Sequence, residues 1–140
     1  MKRIILIVSS IVIMFNCSFA GTPPTSVSKS FGKKFPTATK VSWGKEGAKE
    51  WEAEFTLDGK KISANFGLDG KWLETETEIP IASLPKAVTE AITLKYPGCV
   101  IKEADKTDTA KHGLIYEADI KSGGHKMEVA YKEDGTPVAE

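Results

Sequence analysis

Trp51-Glu52-Ala53-Glu54-Phe55 and Tyr116-Glu117-Ala118-Asp119-Ile120 are two versions of one string, and their offset of 65 residues holds without a gap to the C-terminus. Asp69-Gly70 falls on Asp134-Gly135, Gly59 on Gly124 and Lys61 on Lys126. Upstream, at a slightly smaller offset, Lys34-Phe35-Pro36 matches Lys95-Tyr96-Pro97. Self-similarity on this scale restricts the chain to two copies of one small unit, here about residues 25–79 and 80–140.

Each copy opens with a predicted helix. Val27, Phe31 and Phe35 recur every four residues behind Ser26, a candidate N-cap, and Pro36 ends the pattern. In the second copy Leu84, Val88, Ala91 and Ile92 form one apolar stripe. Ser83 is the candidate cap there, Pro85 sits where a first turn tolerates it, and Pro97-Gly98 stops the helix. Both helices are amphipathic, so each needs a sheet to cover.

Strand register follows from the turns. A two-residue loop at Asp58-Gly59 pairs Phe55 with Ile62, Ala53 with Ala64 and Trp51 with Phe66. A Gly123-Gly124 loop pairs Ile120 with Met127, Ala118 with Val129 and Tyr116 with Tyr131. Apolar meets apolar throughout, and a one-residue slip would destroy both sets. Second hairpins at Asp69-Gly70 and Asp134-Gly135 extend the core face through Leu73 and Val138, while Val41-Ser42-Trp43 and Cys99-Val100-Ile101 add or lengthen edge strands. The fold class predicted is α+β: two tandem helix-plus-antiparallel-strand repeats of α-β-β-β type, with the helices packed on one face of the sheet.

The opposite face then carries Glu52, Glu54 and Thr56, followed by Lys61, Ser63, Asn65 and Gly67. A two-residue turn at Asp69-Gly70 adds Trp72, Glu74, Glu76 and Glu78, with Trp72 lying over Gly67. The second copy contributes Glu117, Asp119, Lys121, Lys126, Glu128 and Lys132. Two readings are open: a solvated sheet face, or a partner-binding surface in which Trp72, Glu52, Glu54, Glu74 and Glu76 make the contacts, a large aromatic among polar residues being the composition of an interface hot spot.

The N-terminus reads as a secretory signal over residues 1–20. Met1-Lys2-Arg3 is a short positive head, Ile4 to Phe15 an apolar run too short to span a bilayer, and Ser18-Phe19-Ala20 sets small residues where a signal peptidase cuts, before Gly21. Acylation of Cys17 after Asn16 is the alternative, which would leave the protein lipid-anchored rather than periplasmic or secreted. Removing Lys2 and Arg3 leaves 17 basic against 19 acidic residues, a net charge of −2, with no basic block. Nucleic acid is therefore excluded as a partner. Cys99 is the only thiol left, which precludes an intramolecular disulfide.

No catalytic constellation is found. His112 and His125 have no companions at metal-ligand spacing, and Cys99 has no nearby histidine. Gly44-Lys45-Glu46-Gly47 lacks the phosphate-loop pattern. The alternating Glu74, Glu76 and Glu78 lack the Asp, Asn and glycine turn of a calcium loop. No cofactor and no metal is expected. A small-ligand or ion carrier built around the glutamate row is the second functional reading beside a binding module.

Taken in order, Lys34-Phe35-Pro36, Val41-Ser42-Trp43, Trp51-Glu52-Ala53-Glu54-Phe55, the run from Leu68 through Trp72 to Glu76, Leu84-Pro85 and Glu133-Asp134-Gly135 resemble the PepSY-like, beta-lactamase-inhibitor-like family of small exported Bacteroidetes proteins. The resemblance implies a fold like the beta-lactamase inhibitory protein, in which two helix-sheet units present an exposed sheet surface to an enzyme. PepSY domains proper are associated with peptidase propeptides, a second pointer to restraint of an enzyme. The expectation is therefore an envelope protein or enzyme as partner and an inhibitor of protease or beta-lactamase type, although the resemblance does not imply that this chain inhibits a beta-lactamase. The cysteine pairs expected to bridge each unit of that inhibitor are missing here, and fold does not set function.

Overall fold

The computed structural model describes residues 21–138. The signal segment, its cleavage site before Gly21 and the Cys17 alternative therefore fall on or beyond the edge of the described residues. The elements run α1 (Thr25–Lys34), β1 (Thr39–Glu46), β2 (Glu50–Leu57), β3 (Lys60–Gly67), β4 (Trp72–Glu78), a 3-10 turn (Ile81–Ser83), α2 (Lys86–Lys95), β5 (Val100–Thr109), β6 (Gly113–Ser122) and β7 (His125–Tyr131). All seven strands form one antiparallel sheet in chain order.

Both helices lie on the same face, each over its own core. Val27 and Phe31 of α1 are buried on Trp51, Ala53, Phe55, Ala64 and Phe66. Phe31 meets Phe55 edge-on at 5.1 Å between ring centroids, a favoured aromatic geometry. Val88 and Ile92 of α2, with Leu84, pack on Ala104, Tyr116, Ala118, Ile120 and Tyr131. The helices end as their prolines demand: Phe35 N–H donates to Phe31 O and Tyr96 N–H to Ile92 O, each at 2.8 Å, and Pro36 and Pro97 follow.

Their starts differ from expectation. Neither serine caps. Pro24 and Pro85 stand at the boundaries, with φ of −55° at each, and proline has no N–H left to satisfy. Ser26 Oγ instead donates to Leu68 O at 3.2 Å, tying α1 to the turn after β3, and Ser83 belongs to the 3-10 turn.

The first hairpin of each half has the expected register. Phe55 pairs with Ile62, Ala53 with Ala64 and Trp51 with Phe66; Ile120 pairs with Met127, Ala118 with Val129 and Tyr116 with Tyr131. Positive φ at both loop residues, 50° and 78° at Asp58 and Gly59, 57° and 84° at Gly123 and Gly124, gives the turn twist that matches the strands.

The second hairpin corrects the reading of Trp72. Gly67 and Lys71, not Leu68 and Lys71, close the loop: Gly67 N–H donates to Lys71 O at 2.8 Å and Gly70 N–H to Gly67 O at 2.9 Å. The turn thus holds three residues, and Trp72 stands opposite Phe66 on the helix side instead of opposite Gly67. A bulge between Asn65 and Phe66 then restores the expected register, so Asn65 faces Glu74 and Ser63 faces Glu76. Trp72, not Leu73, joins the first core cluster.

Strand content also departs from three per unit. Among the described residues four strands follow α1 and three follow α2, because Asp134-Gly135 is followed there only by an isolated bridge from Tyr131 to Pro137. The run at Cys99–Ile101 opens β5, a ten-residue central strand between β4 and β6.

Candidate functional site: the open sheet face

The helices leave the other face of the sheet uncovered, and its middle is nonetheless recessed. Asn65, Thr107, Thr109 and Ile115 belong to that face by register and are only 4%, 0%, 8% and 3% exposed. Across the sheet, one row reads Glu52, Asn65, Glu74, Thr109; the next reads Glu54, Ser63, Glu76, Thr107; a third reads Glu78, Asp105, Glu117. Beyond them Glu103, Asp119 and Glu128 stand side by side on β5, β6 and β7.

Of the five residues predicted to form a binding surface, the structure brings Glu52, Glu54, Glu74 and Glu76 together here. Trp72 is not among them. It lies on the helix side under Lys34, whose Nζ is 3.8 Å from the ring centroid, and its Nε1 donates to Thr75 Oγ1 at 2.9 Å. The face therefore has no aromatic anchor of the kind expected.

Carboxylates crowded on a half-buried sheet face cannot all stay ionised. Burial, then the charges of Glu74 and Glu117, push the Glu76 carboxyl up to about 9. Burial and the neighbouring Glu117 and Glu50 raise Glu74 to about 7, although Asn65 Nδ2 donates to it at 3.2 Å and a hydrogen bond with Glu76 also opposes the rise. Asp105 is raised to about 6 by burial and Glu117. Glu52 is raised by burial and Glu54, and Asp119 by burial against the opposing pull of Lys126. Thr107 Oγ1 donates to Glu117 Oε2 at 2.5 Å, and Ser63 Oγ to Glu76 Oε2 at 3.4 Å. At neutral pH the centre of the face thus mixes protonated carboxyls with carboxylates.

Asp105 and Glu103 were invisible to the sequence reading because β5 was taken only as far as Ile101. The alternation of Glu103, Asp105, Thr107 and Thr109 around Ala104 carries a period-two signal that could have extended it. Cys99 packs against the second core, on the far side of the sheet, while His112 sits in the β5–β6 turn and His125 starts β7. Among the described residues, no three His, Cys, Asp or Glu side chains are disposed to hold a metal ion.

The family described as "Putative beta-lactamase-inhibitor-like, PepSY-like" matches residues 49–137. No curated protein matches the sequence. Among solved structures, the chain is similar to a BLIP-like protein from Bacteroides fragilis at 24% identity, covering 85% of each chain, with a TM-score of 0.69. A DUF2874 family protein from Bacteroides ovatus is similar at 23% identity, 85% of this chain and 86% of that one, with a TM-score of 0.71. A protein from Bacteroides eggerthii titled "putative periplasmic" is similar at 20% identity, 85% and 88% coverage and a TM-score of 0.71. At these identities the likeness shows a shared fold. Among the described residues no helix is long and apolar enough to cross a membrane.

Proposed function

The chain belongs to the PepSY-like, beta-lactamase-inhibitor-like family, and from that premise we propose that it is an exported, non-catalytic binding module of the cell envelope whose open sheet face docks another protein. The observation that carries this reading is the uncovered, recessed face, where Asn65 and Thr107 are buried although both helices lie on the other side. Glu52, Glu54, Glu74 and Glu76 are the contact residues proposed; Trp72 is withdrawn.

Export is supported by the positive head, apolar run and Ser18-Phe19-Ala20 site, with Gly21 as the mature N-terminus. The two-copy organisation is supported by a matched contact: the turn at Gly70 closes on Ser26 O of α1 as the turn at Gly135 closes on Ala87 O of α2. Restraint of an enzyme is the form of docking that the family description suggests.

A photoreactive side chain placed at Glu54, exposed on the open face, tests the reading against one at Leu94, 84% exposed on α2. Irradiation of cells exporting each variant should give protein adducts from position 54 and not from position 94. Adducts only from position 94 would move the docking surface to the helices.

A further inference from the structure

We propose that the occupant of the open face is a basic protein segment, whose lysine or arginine side chains settle into the recess between β4 and β7. The inference rests on the docking reading above and adds the chemistry of the partner. It is carried by charge complementarity to the acidic rows on both sides of β3.

The acidic groups come from every strand of the face except β3, which brings Ser63 and Asn65. Glu46 of β1, with Glu50 and Glu52 of β2, stands at one side; Glu74, Glu76 and Glu78 of β4 hold the centre; Asp105, Glu117 and Asp119 continue it across β5 and β6 to Glu128 of β7. The lysines of the same face are confined to hairpin ends. Lys61, second in β3, stands opposite Thr56 near the Asp58-Gly59 turn, while Lys121 and Lys126 face one another beside the Gly123-Gly124 turn. A recess opens among Glu76, Glu103, Asp105, Glu117, Asp119 and Glu128. The charges that act most on Glu74, Glu76 and Asp105 are all negative, which is the imbalance a cation from outside would relieve.

A second consequence separates this docking from loose attraction between opposite charges. The carboxyls at the centre hold protons in the free protein, as burial and mutual repulsion require, and a guanidinium or ammonium placed among them favours the ionised form. Occupancy must therefore expel protons from the face. Attraction to solvated carboxylates elsewhere, already ionised, expels none.

The test uses hexa-arginine as probe and hexaglutamate as control, titrated calorimetrically into the processed protein at pH 7.5 in two buffers of different ionisation enthalpy. Hexa-arginine should bind with about one proton released, and for each proton displaced its affinity should rise about tenfold per unit of increasing pH until the carboxyl's pKa in the free protein is reached. The Glu76→Gln/Glu117→Gln pair should weaken binding at least about tenfold and abolish the proton release, whereas the Asp108→Asn/Glu133→Gln pair, which removes equal charge off the face, should stay within about twofold. Equal losses for the two pairs, or binding without proton release, overturn the proposal. Failure of hexa-arginine to bind also overturns it while leaving the docking reading to the crosslinks from position 54, which do not depend on the partner's charge.

Discussion

Gly70 rests on the first turn of α1: a side-chain carbon added there would lie 2.7 Å from Ser26 O. Gly135 stands in the same relation to Ala87 O on α2, also at 2.7 Å. Both glycines have left-handed backbones, with φ of 84° and 82°. Each turn is therefore clamped to a helix start by contact as well as by conformation.

Alanine should accordingly cost more at these two sites than positive φ alone explains. Gly98, with φ of 75° and nothing within 4 Å of an added carbon, isolates the conformational part. Gly98→Ala should destabilise by about 1 kcal/mol and Gly70→Ala and Gly135→Ala by at least about 2 kcal/mol each in urea melts. Equal losses at all three would mean that the turns do not press on the helices.

Phe55 and Ile120, 3% and 1% exposed, occupy corresponding positions under the two helices. Phe55→Ala and Ile120→Ala should each destabilise by about 2 to 5 kcal/mol, the range for large-to-small core changes. Glu54→Ala, one residue away and exposed on the open face, should stay within about 0.5 kcal/mol. Chemical denaturation of the three variants checks the strand faces directly.

The parts of the fold legible in the sequence were those where one turn type and one apolar alternation agreed. Asp58-Gly59 and Gly123-Gly124 require positive φ at both loop residues, so loop length and register followed together. Asp69-Gly70 offers the same dipeptide, but there Asp69 Oδ1 accepts from Lys71 N–H at 3.0 Å and only Gly70 is left-handed, which makes a three-residue loop. The bulge beyond it hid the error for Glu74 and Glu76 while displacing Trp72. β5 was missed beyond Ile101 because its core side carries Ala104, Lys106 and Asp108 in place of a run of large apolar residues, and β-propensity reads mostly burial.

Trp72 now makes a stability prediction where a binding one was expected. Its ring packs on the first core, lies under Lys34 Nζ and donates to Thr75. Trp72→Ala should cost about 2 kcal/mol, less than the 3 to 5 kcal/mol expected of Trp51→Ala at 5% exposure, and Lys34→Ala less than about 1 kcal/mol. Crosslinks from position 54 should persist in Trp72→Ala at temperatures where the variant is folded. Their loss there would return Trp72 to the docking surface.

The acidic recess sets how stability depends on pH, and the sign follows from the direction of the shifts. Glu76 is raised from 4.5 to about 9, Glu74 from 4.5 to about 7 and Asp105 from 3.8 to about 6. In each case the folded protein holds a proton that the unfolded chain has already lost, so the stability tied to that proton is complete below the unfolded pKa and is lost as pH rises through the folded one. Asp69 and Asp134 act in the opposite sense, because backbone N–H groups lower them, but they contribute only to the acid side. From pH 5 to pH 9 the melting temperature should therefore fall, with Glu76, the most buried of the three raised carboxyls, contributing up to about 1.4 kcal/mol per pH unit and the more exposed Glu74 and Asp105 less because solvent screens them. Glu76→Gln removes the carboxyl while keeping its shape. It should match the unmodified protein near pH 4 and become progressively more stable than it toward pH 8. A melting temperature that rises over this range, with Glu76→Gln the less stable protein at pH 8, would show that Glu76 is ionised and held by a cation in the folded state, and that the recess is already neutralised from within.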